Sequence, residues 1–353
     1  MTKKLKILRL MGQNSKGNPV IDQYEKPIGL ITDYSYRVAY GMPYDKPWFW
    51  YWDVLDAHNK QYDPQLTAVY KEIAELAKEH DILYHMVGDM MHPDFIKTLS
   101  KRFGGPIFTI YNIDGEPSSS KLLSHPVVKA YDFALTCSKY YDETRRCTEL
   151  LLENGAYGAD WVACGTKYLS DDPAWDIPID NPDKDIDVIF LGAGMDFQTS
   201  AVPYPPNKYK AVEYLRSKGL KVHCEPWTGQ GQAAELYARS KVGINLHGPS
   251  QYGVGNSQRL YDLAACGVGI VTDGAGFGMD EIYGPDEVMS YLWSNFDEMT
   301  AQVKYLLDNP KVRVLNAERA RERTRRMYTN DVAWMTRGVK IAIKHWKQTG
   351  LWK

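Results

Sequence analysis

Short apolar runs alternate along the chain with segments whose apolar residues recur every three to four positions, the order of strand followed by helix. LKILRLM at 5–11 predicts the first strand, and GLITDY at 29–34 reads as another. Leu66, Val69, Tyr70, Ile73 and Leu76 share one face behind Asp63 as N-cap and Pro64 at the first helical position, which predicts a helix there. Strands are expected at 81–87, 106–111, 133–137 and 161–165. Between them, a helix over 92–104 stops at Gly104, and another over Ser138–Glu153 stops before Gly155. This alternation predicts a parallel sheet with helices on both faces.

The composition then changes. Residues 166–187 carry three prolines and seven aspartates, which predicts a surface linker. The pattern resumes with a strand at 187–192, a helix over Asn207–Lys218, a strand at 220–225 and a helix at 233–240. VGINL (242–246), the helix-like SQRLYDLAAC (257–266) ended by Gly267, and VGIVT (268–272) follow. Helices over 299–308, 312–328 and 331–348 close the chain. The predicted fold class is α/β, with two domains, 1–165 and 187–330, joined by a linker at 166–186 and separated by a cleft. No internal repeat is visible.

Composition narrows the partners only a little. Apolar residues at 44%, charged residues at 24% and a net charge of −2 describe a soluble globular chain with no global pull toward nucleic acid or anionic lipid. The five cysteines, 137, 147, 164, 224 and 266, are scattered without a C-x-x-C pair, so neither a disulfide framework nor a zinc knuckle is indicated. No run reaches 18 apolar residues and MTKKLKILRL lacks a cleavable leader, so a cytoplasmic location without membrane insertion is expected. The aromatics stand out, with 10 Trp and 25 Tyr. PWFWYW at 47–52 places Trp48, Trp50 and Trp52 together, as a packed lid or as a stacking platform for a sugar ring or base. The basic run RARERTRR (319–326) contains Glu322, which favours a solvated helix face over a nucleic-acid stripe.

The candidate chemistry concentrates in Lys241–Tyr291. Strand, Gly-rich loop, short helix, strand and second Gly-rich loop form the pattern of a ligand crevice at strand C-termini. His247, Asn256, Ser257, Arg259, Asp262, Asp273 and Glu281 are the polar residues placed to face it. Asp262 suits two vicinal hydroxyls of a sugar. Arg259, one turn earlier on the same side, suits phosphate. The competing reading of that couple is a surface Arg–Asp pair of little energetic weight. Asn256 and Ser257 cap the helix or leave its N-terminus to an anion. Gly192 and Gly194 in GAG form a tight turn after a strand, but Phe197 breaks the dinucleotide fingerprint. No P-loop, H-E-x-x-H, EF-hand loop or G-x-S-x-G is present, and no metal site is expected.

NSQRLYDLAACGVGIVTDGAGFGMDEIYGPDEVMSY resembles the C-terminal region of glycosyltransferase group 1 proteins, above all the CgeB-like subgroup. Asn256, Arg259, Tyr261, Asp262, Gly267, Asp273, Glu281, Glu287 and Tyr291 stand at that pattern's positions. The resemblance extends over about 183–345 and is only architectural over 1–165. It implies a GT-B arrangement of two Rossmann-like domains facing across a cleft, with the last helix, 331–353, crossing back to the first domain. It also implies a nucleotide-sugar held by the second domain, a UDP-sugar first, with no further cofactor and no metal at the diphosphate. The family usually has Glu where this chain has Asp262. A second acid common among relatives would fall at Val254.

Glycosyl transfer needs positive charge or oriented N–H groups at the leaving diphosphate, and Arg259, its helix N-terminus, Lys208 and Lys210 are candidates. Trp227 and Thr228 in CEPWTGQ, with His247 and Gly248 in the HGPS loop, are expected to line the nucleotide pocket. For an acceptor base the candidates are Asp89, His92 and Asp114, which flank first-domain strands; Asp89 and His92 serve equally as helix caps. The acceptor stays open between small molecule, glycan, protein and a hydroxymethylated DNA base, as does the oligomeric state. The alternatives to transfer are a nucleotide-sugar isomerase or epimerase of similar architecture and a non-catalytic nucleotide-binding protein.

Overall fold

Each half of the chain builds its own sheet, and both sheets are entirely parallel. The computed structural model describes residues 5–10, 32–36, 67–86, 93–113, 123, 126–166, 168, 171–192, 207–225, 230–247, 257–329 and 337–353. The first sheet holds β1 (Leu5–Leu10), β2 (Thr32–Tyr36), β3 (Ile82–Met86), β4 (Phe108–Ile113), β5 (Phe133–Thr136) and β6 (Ala159–Trp161), in the order β2-β1-β3-β4-β5-β6. The second holds β7 (Ile186–Leu191), β8 (Val222–Glu225), β9 (Ser240–Asn245), β10 (Gly269–Asp273) and β11 (Met289–Tyr291), in the order β11-β10-β9-β7-β8. The second sheet starts in its interior at β7, steps out to β8, then reverses to β9. Such a reversal opens a crevice beyond the carboxyl ends of the two central strands.

Period-two alternation sends neighbouring residues to opposite cores. Leu8, Leu83, Tyr111 and Ala134 meet Ile73 and Ala77 of α1 (Thr67–Ala77), Phe95, Ile96 and Leu99 of α2 (Pro93–Leu99), and Leu151 of α3 (Cys147–Glu153). In the second sheet, Val188, Phe190, Val242, Ile244 and Val271 meet α4 (Asn207–Ser217) and α8 (Phe296–Asp308). The remaining faces, with Ile7, Tyr84 and Leu135 from one sheet and Ile189, Leu191 and Ile270 from the other, join a single cluster. That cluster takes in α5 (Gln230–Ala238), α6 (Gln258–Ala265), α7 (Met279–Ile282), Ala320 of α9 (Pro310–Met327) and the last helix, α10 (Gly338–Gln348). The halves therefore share a core.

The last helix crosses back to the first sheet. Trp346, fully buried, stacks on Phe108 of β4 with ring centroids 4.6 Å apart, and its Nε1 donates to the Asp132 carbonyl at 3.0 Å. Gly338 opens α10 against Leu135 and Tyr84, where a Cβ would press on the Leu135 side chain. The Asp132 carboxylate is itself buried; it accepts from Ser100 Oγ at 2.5 Å and the Thr109 amide at 2.8 Å. Burial raises its pKa above the ordinary carboxylate range while these hydrogen bonds act in the opposite direction.

Several elements differ from their sequence-based expectation. Only Cys147–Glu153 of the helix expected over Ser138–Glu153 forms. Asp142 accepts from the amides of Thr144 and Arg145, a local turn that competes with helix, and Tyr140 bridges to Arg146. The strand expected at 161–165 sits earlier, at Ala159–Trp161, because Thr166 already turns away to donate its amide to the Tyr328 carbonyl. β11 is a three-residue strand that the pattern did not announce. The helix expected over 92–104 breaks after Leu99 into a 3-10 turn ended by Gly104 at φ 87°. Asp63 and Pro64 lie outside the described residues.

The connection between the halves is not simply a surface strand of chain. Tyr168, Ala174 and Trp175 are buried, Trp175 with 4% of its surface exposed. Arg321 of α9 donates to the carbonyls of Trp175 and Ile177, at 3.3 and 2.7 Å. Lys184, also buried, donates to the Ser240 and Gly267 carbonyls, and burial lowers its pKa to about 8. Of the basic run of α9, Arg321 turns inward to the crossing segment and Arg323 pairs with Glu287, while Arg319, paired with Asp286, Arg325 and Arg326 lie on the exposed face expected of the run.

Docking of α10 makes one expectation concrete. Trp346→Ala removes a fully buried indole and strands the carbonyl it serves, so the substitution should cost about 3–5 kcal/mol of stability. Urea unfolding of the full chain measures this. A loss below about 1 kcal/mol, typical of surface substitutions, would show that α10 does not complete the first-domain core.

Candidate functional site

At the carboxyl ends of β7 and β9 the backbone carbonyls converge on one guanidinium. Arg259, in the first turn of α6, donates through Nε to the Leu191 carbonyl and through Nη1 to the Leu246 carbonyl at 3.1 Å. Its guanidinium lies 4.4 Å over the Phe190 ring, within cation–π range. Gly192 follows immediately, and a Cβ there would overlap Nη2, so the turn must be glycine for the arginine to lie flat. The close approach of α6 to β9 has a similar origin at Gly243, where any side chain would collide with Leu263. Among the described residues no carboxylate pairs with Arg259. Burial lowers its pKa below the ordinary arginine value, with Tyr237, Asp273 and Asp262 acting the other way.

The start of α6 is left open in the same place. Ser257 occupies the N-cap but caps nothing with its hydroxyl, which instead donates to Asn245 Oδ1 at 2.7 Å. Asn245 Nδ2 in turn donates to Thr272 Oγ1 at 2.9 Å, tying the ends of β9 and β10 to the helix. The first-turn amides of α6 and the Arg259 fork together make a site for a phosphate-like anion.

Beside it, His247 and Asp273 form a buried pair. The Asp273 carboxylate accepts the His247 amide at 3.0 and 3.1 Å through its two oxygens, and it also meets His247 Nδ1. An ion pair bridges the two halves: Lys139, after β5, has 5% of its side chain exposed and pairs with Glu281 of α7. The rings of Tyr140 and Trp161 both lie 5.5 Å from its ammonium. Desolvation lowers the Lys139 pKa, helped by Arg146 and opposed by Asp280.

Asp262 does not form the solvated surface pair with Arg259 that spacing allowed. It is 1% exposed and accepts from Thr166 Oγ1 at 2.7 Å. A direct bond from Oδ1 to a ribose would require Thr166 to give way. The carboxylate thus holds the crossing segment at 162–166 in register with α6. Other positions of the sequence pattern also carry structure. Tyr261 sits in a cluster with Tyr283 and Tyr328, Glu287 accepts the Gly284 amide at 2.6 Å, and Tyr291 is buried at the end of β11.

The structure brings Gly192, His247, Ser257 and Arg259 together. Lys208 is buried in the first turn of α4, and Lys210 lies exposed two residues on. Asp89, His92, Asp114, Gly194, Trp227, Thr228, Gly248, Asn256 and the tryptophans Trp48, Trp50 and Trp52 lie outside the described residues. Sequence reasoning missed Asn245, Thr166 and Lys139. Asn245 did leave a signal, a polar residue closing the apolar run VGINL. Lys139 left none, because it stands in a segment that reads as helix.

Asp262→Ala should cost about 1–3 kcal/mol by leaving the Thr166 hydroxyl unpaired in a buried setting. Thr166→Val in the same background should add little, so a double-mutant cycle by chemical denaturation is expected to be strongly non-additive. A solvated pair would instead give under about 1 kcal/mol.

Comparison with known proteins supplies a context for this geometry. A protein family described as glycosyl transferase-like matches residues 189–336. A search of curated proteins by sequence returned no match. Solved structures similar to this chain include a glycosyltransferase from Rickettsia africae ESF-5, with 12% identity over 97% of this chain and 98% of that one and a TM-score of 0.57. Anabaena HepE, solved in complex with UDP and glucose, is similar with 11% identity, 96% and 99% coverage and a TM-score of 0.57. An alpha-glucosyltransferase in complex with UDP and a 13-mer DNA gives 10% identity, 97% and 100% coverage and a TM-score of 0.58. The two parallel sheets, with the last helix returning to the first, are the GT-B fold of such glycosyltransferases, and the glycosyl transferase-like match lies on the half that carries Arg259.

Proposed function

We propose that this protein transfers a sugar from a nucleoside-diphosphate sugar to an acceptor hydroxyl. One observation carries the reading: a half-buried guanidinium held by the Leu191 and Leu246 carbonyls and, at 3.5 Å, by Asn245 Oδ1, with no carboxylate paired to it among the described residues, lying beside an uncapped helix N-terminus at the switch point of a parallel sheet. When the sugar C1–O bond breaks, its electron pair stays on the diphosphate oxygen, and negative charge grows there. A fixed fork of N–H groups and the amides of α6 meet that charge without rearranging. Gly192, Ser257 and Arg259 hold the diphosphate in this proposal. His247 lies beside it, and Lys208 and Lys210 contribute field from α4. Asp262 acts through Thr166 and α6.

UDP is the first nucleotide to test, supported by the UDP and glucose held by the similarly folded HepE. The pattern from Asn256 to Tyr291 resembles that of the CgeB-like subgroup, the affiliation this proposal carries. Trp227, Thr228, Gly194, Gly248 and Asn256 are proposed around the nucleotide, and Trp48, Trp50 and Trp52 on the acceptor side. The base that takes the acceptor proton is sought among Asp89, His92 and Asp114. Because Arg259 and the helix supply positive charge at the diphosphate, no divalent ion and no further cofactor is needed for the transfer.

Arg259→Lys keeps the charge but loses the fork. Single-turnover transfer should slow by about tenfold or more, with calorimetric affinity for UDP affected less, because the interaction strengthens toward the transition state. Gly192→Ala should mimic this by displacing the guanidinium. Wild-type rates and affinity in both variants would end the diphosphate assignment. Assayed with a panel of UDP-, GDP- and TDP-sugars, the enzyme should release free nucleoside diphosphate; epimer formation without release would favour the isomerase reading.

Transfer should also survive an excess of EDTA largely intact. Loss of activity that Mg²⁺ or Mn²⁺ restores would overturn the metal-independent part of the proposal.

A further inference from the structure

The His247–Asp273 pair has more machinery than a structural contact requires. His247 follows β9 with 2% of its surface exposed, and its Nδ1 faces the carboxylate that also takes its own amide. Asp273 therefore fixes both the backbone and the ring. A carboxylate accepts only, so Nδ1 carries hydrogen and Nε2 is the position left for other chemistry. Nε2 is buried and meets no hydrogen-bond partner among the described residues. A buried ring nitrogen without a partner is costly, unless the partner is a ligand.

The charged surroundings decide which form of the ring a ligand would select. Asp273 on β10 favours the doubly protonated imidazole. Arg259 on α6, whose Nη1 holds the carbonyl of the preceding residue, Leu246, opposes it, as does the positive end of α6. Tyr291 on β11, buried in the field of Asp273, is neutral and does not shift the balance. A nucleoside diphosphate brings two or more negative charges to the same place.

Resting on the diphosphate reading of Arg259, we infer that His247 takes up a proton as the nucleotide binds, and that Nε2–H then donates to a phosphate oxygen. No covalent bond changes in this step; one proton passes from solvent to Nε2. The site thereby adds a positive charge together with the negative charge of its ligand. Affinity falls as pH rises, because the protonated form is the one that binds.

The experiment is isothermal titration of the full-length protein with UDP, or GDP where that binds more tightly, at pH 8. There the terminal phosphate, with a second pKa of about 6, is already ionised. Repeating the titration in phosphate and in Tris, whose ionisation enthalpies differ, counts the protons exchanged. Wild-type protein should take up a measurable fraction of a proton on binding, and Kd should increase with pH by at most tenfold per unit, the limit for one linked proton. His247→Gln, which retains a hydrogen-bonding group of similar reach, should bind more weakly with no net proton uptake and little pH dependence. Equal heats in the two buffers for the wild type would overturn the inference while leaving the diphosphate site standing. Undiminished proton uptake in His247→Gln would overturn it as well. No binding of either nucleotide to the wild type would remove the diphosphate reading itself.

Discussion

A charged group placed where backbone carbonyls converge constrains its neighbours more tightly than an apolar one, because every lost hydrogen bond is a lost bond to charge. Arg259 is such a group. Its guanidinium fixes the ends of β7 and β9 relative to α6, lies over Phe190, and dictates that residue 192 have no side chain. The Ser257–Asn245–Thr272 chain repeats the same tie at β10. The local geometry is therefore set before any ligand arrives, the condition under which oriented dipoles are most effective on developing charge. Among the described residues no carboxylate pairs with the guanidinium, so its bonds go to neutral acceptors.

The second half was the more legible part of the fold in sequence. There, apolar strands such as VGINL and VGIVT are bounded by glycines that end helices, so element order and type follow from pattern alone. Prediction failed where a single polar contact overrides periodicity. Asp142 diverts the start of a helix by accepting two amides, and Thr166 ends a strand by reaching across to Tyr328. The site was legible to the extent that its residues lie within one short stretch: Ser257 and Arg259 are neighbours in sequence and in space. Asp262 misled because helical spacing shows which residues share a side, not whether that side is solvated. Its partner Thr166 is 96 residues away. Lys139 and Glu281 come from opposite halves, and no local pattern reveals such a pair.

These long-range contacts make the halves mutually dependent. The shared core, the buried Trp175 held by Arg321 on α9, and the desolvated Lys139 all lie where two separately built sheets meet. A hinge in this molecule must move around an apolar contact rather than through a solvated strap. Opening at the Lys139–Glu281 pair would return a buried ammonium to water, which offsets part of the lost Coulomb attraction.

The return of α10 to the first sheet has a consequence for the chain during its synthesis. The face of that sheet bearing Tyr84, Phe108 and Leu135 is covered by residues from Gly338 to Trp346, which are synthesised long after its strands. At about 5–20 residues per second, the first sheet's strands wait on the order of tens of seconds for their cover. Through that interval an apolar surface is open to chaperones or to a neighbouring nascent chain. The order in which the gene encodes these segments delays completion of the first sheet until α10 has been made.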